Sequence, residues 1–130
     1  MIFAGKAPTN LGISGGRFTA AQTWKPNWVS SQVVSSDKHY VAPLSFSGDA
    51  MAAVKKLKSV IQGMERTKII EEKPDYFYAQ FSTKLMGYVD DVEFFCDGKA
   101  IHVRSSSRLG IRDFDVNRKR MEAIRKTFSS

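Results

Sequence analysis

The hydrophobic positions of this chain predict two helices, of which the first lies near the middle of the sequence. Its apolar residues recur every three or four positions, at Ala50, Val54, Leu57 and Ile61. Ser47 or Asp49 can cap its start, and Gly63 suits its end, because glycine readily closes the last turn of a helix. The pattern predicts an amphipathic helix that packs one face against a core.

A second helix is predicted at the end of the chain, from Asp113 or Asp115 to about Thr127. Its apolar stripe consists of Met121, Ile124 and Phe128. One turn earlier the same stripe contains Asn117. An amide is an unusual residue to find beside a core.

Alternating apolar and polar residues predict three strands, over His39–Phe46, Lys68–Glu71 and Tyr76–Ser82. Pro43 lacks an amide hydrogen, which places the first strand at a sheet edge. Either side of the third strand can face the core, and its wholly apolar side is the better candidate.

A β-hairpin is predicted between Tyr88 and Ser106, with Asp97-Gly98 as a two-residue turn. This turn places Cys96 opposite Lys99, and the pairing continues from there along both strands. One face of the hairpin is then apolar.

The other face of the predicted hairpin is ionic. The expected register pairs Glu93 with His102 and Asp91 with Arg104, and two complementary charge pairs would reinforce it. Asp90 falls on the apolar face, so it either faces water at the strand end or needs a partner in the core. The candidate partners are Arg108, Arg112 and Arg118.

The order of these elements predicts one α+β domain over residues 1–130. We expect an antiparallel sheet with two main helices packed on one face. Residues 1–36, rich in Gly, Ser, Thr, Asn and Pro, are expected to form a long, mostly irregular loop region. No apolar run approaches the roughly 20 residues of a membrane-spanning helix, and no signal peptide is predicted.

The charge of the chain favours anionic partners. Lys and Arg number 20 against 13 Asp and Glu, which gives a net charge of +7. The single cysteine, Cys96, excludes an internal disulfide, and the only two histidines, His39 and His102, are far apart. We therefore expect no metal and no cofactor. Nucleic acid is not expected as a partner, because no known binding motif accompanies the basic residues.

Basic residues concentrate towards the end of the chain. Several arginines there can form a site for a carboxylate, a phosphate-bearing ligand or a lipid head group. The residues expected to bind such an anion are Arg104, Arg108, Arg112 and Arg118. A basic helix face that simply contacts water is the alternative interpretation.

Three blocks of the sequence resemble the domain-of-unknown-function 1499 family. They are residues 26–32 (PNWVSSQ), residues 85–94 (LMGYVDDVEF) and residues 103–120, which begin VRSSSRLG and end VNRKR. The resemblance covers almost the whole chain in the expected order. It implies no assigned biochemistry. The chain is most similar to cyanobacterial or plastid-type members, which implies an exported, thylakoid-lumenal or membrane-associated setting.

This chain departs from the family at two positions. Members commonly have one cysteine where Trp28 stands and another near Gln22, a pair that could form a disulfide or hold a metal. Both cysteines are missing here. Neither role can therefore apply to this protein.

Polar residues of the family blocks are expected to meet in one structural cluster, which joins the first loop, the hairpin and the last helix. They are Asn27, Ser30, Ser31, Asp90, Asp113 and Asn117. Buried ion pairs, or an anionic ligand that bridges arginines, would hold the cluster together.

We expect a non-enzymatic binding or scaffolding module that acts on a membrane-associated protein complex or an anionic ligand. The alternative is a small hydrolase-like enzyme. Its site would use Asp91, Glu93 and His102 on the ionic face of the hairpin.

Overall fold

The structure, a computed structural model, describes residues 8–19, 27–84, 87–108 and 115–129. In chain order the elements are β1 (Ile13–Ser14), β2 (Arg17–Phe18), β3 (Trp28–Ser30), α1 (Ala50–Gln62), β4 (Thr67–Glu72), β5 (Tyr76–Ser82), β6 (Val89–Cys96), β7 (Ile101–Ser107) and α2 (Asp115–Phe128). Strands β1 and β2 form a two-stranded ribbon. The other five form an antiparallel sheet in the order β3-β7-β6-β5-β4. The α+β fold is therefore confirmed.

Both helices lie where the sequence predicts them. Asp49 caps α1 by accepting a hydrogen bond from the Ala52 amide at 2.8 Å, and Gly63 follows the last turn. The buried positions of α2 are Asn117, Met121, Ile124 and Phe128. Asn117 is thus buried in the predicted stripe.

The main core lies between the two helices and one face of the sheet, which we name the inner face. Leu57 of α1 and Met121 of α2 are fully buried in the same cluster as the sheet residues Phe77 and Phe94. The rings of Phe77 and Phe94 stack with centroids 4.6 Å apart. This burial accounts for the amphipathic pattern of both helices.

The strand predicted over His39–Phe46 is wrong. This segment makes only two isolated bridges, one from Tyr40 to Ser30 and one from Leu44 to Ile101. Leu44 exchanges backbone hydrogen bonds of 2.8 and 2.9 Å with Ile101. Pro43, directly before Leu44, has no amide hydrogen with which to extend the ladder.

The hairpin turn is longer than predicted. Cys96 lies opposite Ile101, so the turn contains four residues, Asp97–Ala100, and the register differs by two positions from the expected one. The Asp97 carboxylate accepts hydrogen bonds from the amides of Lys99 and Ala100, at 2.8 and 2.9 Å, and Gly98 takes a φ of 95°. These contacts stabilise the longer loop.

The expected pairs Glu93–His102 and Asp91–Arg104 are therefore wrong. Glu93 lies opposite Arg104, and Asp91 opposite Ser106. Because a shift of two residues keeps every side chain on its own face, the separation into an apolar and an ionic face persists.

The ionic face of the hairpin belongs to the outer face of the sheet, and residues 10–19 cover part of it. We name this segment the strap. Its residues Leu11, Ile13 and Phe18 pack against a second cluster on the sheet. That cluster consists of Tyr76, Tyr78 and Phe95. Both sides of β5 are consequently buried.

Candidate functional site

Two carboxylates of β6 are buried on the outer face, each against an arginine of the β7 side. Glu93 and Asp91 are about 1% and 2% exposed. The Arg104 guanidinium lies 2.5 Å from Glu93, and that of Arg108 lies 2.9 Å from Asp91. Pairing of this kind is what allows charged groups to remain ionised inside a protein.

The Glu93–Arg104 pair also binds the strap to the sheet. Glu93 accepts hydrogen bonds from the Gly12 amide at 2.7 Å and from the Tyr76 hydroxyl at 2.8 Å. Arg104 donates to the carbonyls of Asn10 and Thr19. Burial, and then the charge of Glu93, raise the pKa of Tyr76 well above its ordinary value. Tyr76 is therefore a stable donor to Glu93.

The Asp91–Arg108 pair forms a second network further along the outer face. Arg108 donates from Nε and Nη2 to the two carboxylate oxygens, at 2.9 and 3.0 Å. The Tyr78 hydroxyl also donates to Asp91, and Gln80 donates to Tyr78 at 3.0 Å. Burial and then the bond to Asp91 raise the pKa of Tyr78 to about 12. Hydrogen bonding to Asp91 raises the pKa of Arg108.

On the inner face, α2 supplies the partners of two buried polar groups. Arg120 donates to Asp90 at 2.5 Å. Asn117 accepts from the Ser105 hydroxyl at 2.7 Å, and it donates to the Asn27 carbonyl at 2.9 Å and to Ser107 at 3.1 Å. These contacts join α2 to β7 and to the residue before β3.

The residues of the predicted polar cluster are divided between two places. Asn27 and Asn117 bond directly, and Asp90 reaches Asn117 through Arg120. Ser30 and Ser31 lie on and after β3, where Ser30 pairs with Arg104 in the sheet. Asp113 lies outside the described residues.

The four arginines expected to bind an anion do not converge. Arg104 and Arg108 are engaged by Glu93 and Asp91. Arg118 donates to the carbonyls of Tyr40 and Lys38, at 2.7 and 2.6 Å. Arg112 lies outside the described residues. Arg108 and Arg104 line two different cavities of the outer face, and Arg118 lines neither.

The alternative site, Asp91, Glu93 and His102, is not assembled around one point. His102 contacts Ser31 through Nδ1 at 2.9 Å and Asp97 through Nε2 at 3.1 Å. Ser31 is buried and its hydroxyl accepts from the Val103 amide, whereas the Asp97 side chain is 39% exposed. A serine nucleophile needs a hydroxyl that a substrate can reach, and the buried Ser31 hydroxyl does not meet this condition. Amides of the turn, Ala100 first, lower the pKa of Asp97.

A cleft of about 480 Å³ opens on the outer face, at the end of β5 that is distant from Tyr76. We name it the basic cleft. It is lined by Arg66, Thr67, Lys68, Gln80, Ser82, Val89 and Arg108. The sheet register aligns Lys68, Gln80 and Asp91 across three neighbouring strands. Its described lining contains three cationic side chains and no carboxylate.

Arg66 holds an uncommon conformation at the rim of this cleft. Its φ of 54° lies in the left-handed region, where a residue other than glycine costs about 1 kcal/mol or more. Its carbonyl accepts a hydrogen bond from the Ser82 amide at 2.9 Å. Sequence reasoning missed Arg66 and Lys68. The alternation of Lys68 with Ile69 does predict that Lys68 lies on the polar face of its strand. The sequence does not show that this strand pairs with β5, and that pairing brings Lys68 to the cleft.

The described part of the chain contains neither a metal-binding cluster nor a membrane-spanning helix. No group of three or more His, Cys, Asp or Glu side chains there is arranged to hold a metal ion. Neither α1 nor α2 combines the length and the apolar character needed to cross a bilayer.

Comparison with known proteins gives one match. Searches among curated proteins and among solved structures found no significant similarity. The family model described as protein of unknown function (DUF1499) matches residues 20–128, which is most of the chain. The chain therefore belongs to the DUF1499 family.

Proposed function

We propose that this protein is a non-enzymatic binding module for an anionic ligand, and that the ligand binds in the basic cleft. The observation that carries the proposal is the convergence of Arg66, Lys68 and Arg108 on one cleft whose described lining has no carboxylate. Its volume of about 480 Å³ lies within the range of small-molecule sites.

The charges of the cleft support a divalent oxyanion as the ligand. Asp91 neutralises Arg108 and holds its guanidinium in place. Among the described residues, the Arg66 side chain forms an ion pair with the exposed Glu65, at 3.0 Å, and solvent screens that pair. Lys68 has no ion pair among the described residues. Two positive charges therefore remain for a ligand, with Ser82 and Gln80 as hydrogen-bonding neighbours. A phosphate group fits this set.

Replacing Arg66 or Lys68 with glutamine is expected to weaken the binding of pyrophosphate about tenfold, because each change removes one charge-assisted hydrogen bond. Isothermal titration calorimetry measures the affinity. The control is Lys99→Gln, which removes an exposed lysine at the opposite end of the hairpin. Equal loss in the control, or no binding by the unsubstituted protein, would contradict the proposal.

The hydrolase alternative has less support. Glu93 and Asp91 are buried, each is bonded to an arginine and a tyrosine, and neither is among the described lining residues of the basic cleft. The binding function needs no carboxylate that transfers a proton.

A second candidate function is scaffolding on a membrane-associated assembly, the setting that the family resemblance implies. The supporting observation is the charge of the helices, where α1 and α2 carry eight basic residues and two acidic ones. Lys55 of α1 and Lys119 of α2 are exposed, and Met51, one turn before Lys55 on the same side of α1, is 52% exposed. Such a surface suits anionic lipid head groups.

The double variant Lys55→Glu/Lys119→Glu is expected to lose most of its binding to vesicles that contain phosphatidylglycerol, because each lysine near an anionic surface contributes about 1 kcal/mol. Sedimentation with vesicles measures this at low and at physiological salt. Lys99→Glu is the matched control. Equal binding to neutral phosphatidylcholine vesicles would exclude an electrostatic docking role.

A further inference from the structure

A second cavity lies under the strap, on the other side of the outer face from the basic cleft. Its volume is about 240 Å³. The strap contributes Arg17 and Phe18 to its lining, β3 contributes Trp28 and Ser30, and the remaining walls include Gln32 and Arg104. The described lining contains donors from six polar or cationic side chains and no carboxylate.

The walls of this cavity are held in place by the fold. The Gln32 side chain accepts from the Phe18 amide at 2.8 Å and donates to the Gly16 carbonyl at 3.2 Å. Arg104 is bonded to Glu93 and lies over the Phe18 ring, 5.0 Å from its centroid. The indole of Trp28 stacks on the His39 ring, with centroids 3.8 Å apart. The cavity is therefore preformed.

One wall residue carries a hydrogen-bond donor without a partner. Trp28 is 6% exposed, and its indole Nε1–H is buried with no acceptor among the described residues. A buried donor left in this state costs about 1–3 kcal/mol, and native structures usually supply a partner. A ligand oxygen beside the Trp28 ring would provide it.

The charge of the cavity limits the ligand to one negative charge. Arg104 is neutralised by Glu93, so it adds no net charge. Arg17 is exposed and donates once, to the Gln32 carbonyl at 2.6 Å. Its remaining guanidinium N–H groups have no partner among the described residues, and they can bind an anion.

We infer that the cavity under the strap is a second binding site, for a small monocarboxylate that accepts hydrogen bonds from Arg17 and from the Trp28 indole. The site is independent of the basic cleft, because the two cavities share no described lining residue. It differs from the cleft in size and in charge. This module thus has places for two different anions.

Nuclear magnetic resonance of the Trp28 indole N–H tests the inference, with acetate and propionate as probes. The chain has two tryptophans, and the Trp28→Phe variant assigns the resonance. The expected result is a saturable downfield shift as the donor gains an acceptor. Arg17→Gln should weaken the apparent affinity about tenfold. Trp28→Phe keeps an aromatic ring against His39, so the strap should stay folded, and its propionate binding, followed by the backbone amide resonances of the strap, should be weaker.

Arg66→Gln separates this site from the proposed function, because it alters only the basic cleft. It should leave the acetate-induced shift unchanged, whether or not the cleft binds pyrophosphate. The inference is overturned if the Trp28 resonance does not move at saturating acetate or propionate. It is also overturned if Arg66→Gln abolishes the shift, or if Arg17→Gln, confirmed as folded by its spectrum, binds as tightly as the unsubstituted protein.

Discussion

Replacing Glu93 with alanine is expected to lower the free energy of unfolding by about 3–5 kcal/mol. The change leaves the guanidinium of Arg104, whose side chain is 6% exposed, inside the protein without its counter-charge. The Gly12 amide and the Tyr76 hydroxyl lose their acceptor as well. Chemical denaturation measures the loss, and limited proteolysis should show cleavage within the strap.

Two further variants make this prediction specific. Glu71→Ala removes an exposed carboxylate paired with Lys73, and it should cost less than about 1 kcal/mol. The double variant Glu93→Leu/Arg104→Met should be more stable than Glu93→Ala, because it removes the uncompensated charge. If the double variant were the less stable protein, the buried charge would not be the cause of the loss.

Replacing Asn117 with leucine is expected to cost about 2–4 kcal/mol, although leucine is apolar and of suitable size for the helix stripe. Asn117 is fully buried and bonds to Ser105, Ser107 and the Asn27 carbonyl. Leucine would leave these groups buried without their partner. The midpoint of denaturant unfolding gives the loss directly.

The control for Asn117 lies on the same helix. Lys119 is exposed, so Lys119→Leu should change the stability by no more than about 0.5 kcal/mol. A loss below 1 kcal/mol for Asn117→Leu would mean that water or a shift of α2 replaces the lost bonds. The amide would then be a tolerated residue rather than the connection between α2 and the sheet.

Some buried ionic residues hold the two proposed sites in place rather than bind a ligand. Glu93 and Arg104 hydrogen-bond to the strap, and the strap forms one wall of the second cavity. Asp91 holds Arg108 at the wall of the basic cleft. The cations proposed to contact an anion, Arg17, Arg66 and Lys68, are exposed. Substitutions at the first group should therefore reduce stability, and those at the second group should reduce binding.

Local patterns were sufficient to predict the helices and the two faces of the hairpin. Asp49 and Gly63 define the ends of α1 through contacts within one turn, and the apolar stripe of α2 repeats at the period of a helix. Asn117 was recognised as unusual because its place in that stripe depends only on the same period. Such features depend on neighbours in the chain, so the sequence is enough to predict them.

One local feature was predicted wrongly. The Asp97 side chain accepts hydrogen bonds from the amides of Lys99 and Ala100, which favour a four-residue turn over the expected two-residue turn and shift the pairing by two residues. Features that depend on distant partners could not be predicted from local patterns. Arg120 was not among the arginines considered for Asp90, because the path of α2 across the sheet decides which arginine reaches it.

Periodicity and helix caps predict an α+β domain with one ionic and one apolar hairpin face, because they act over a few residues. The cover of the strap over Glu93, and the cleft that Arg66 and Arg108 both line, depend on the three-dimensional fold. Both results join residues far apart in the chain. A charge count cannot distinguish an arginine that neutralises a buried carboxylate from one that is free to bind an anion, since the difference lies in the three-dimensional position of its partner.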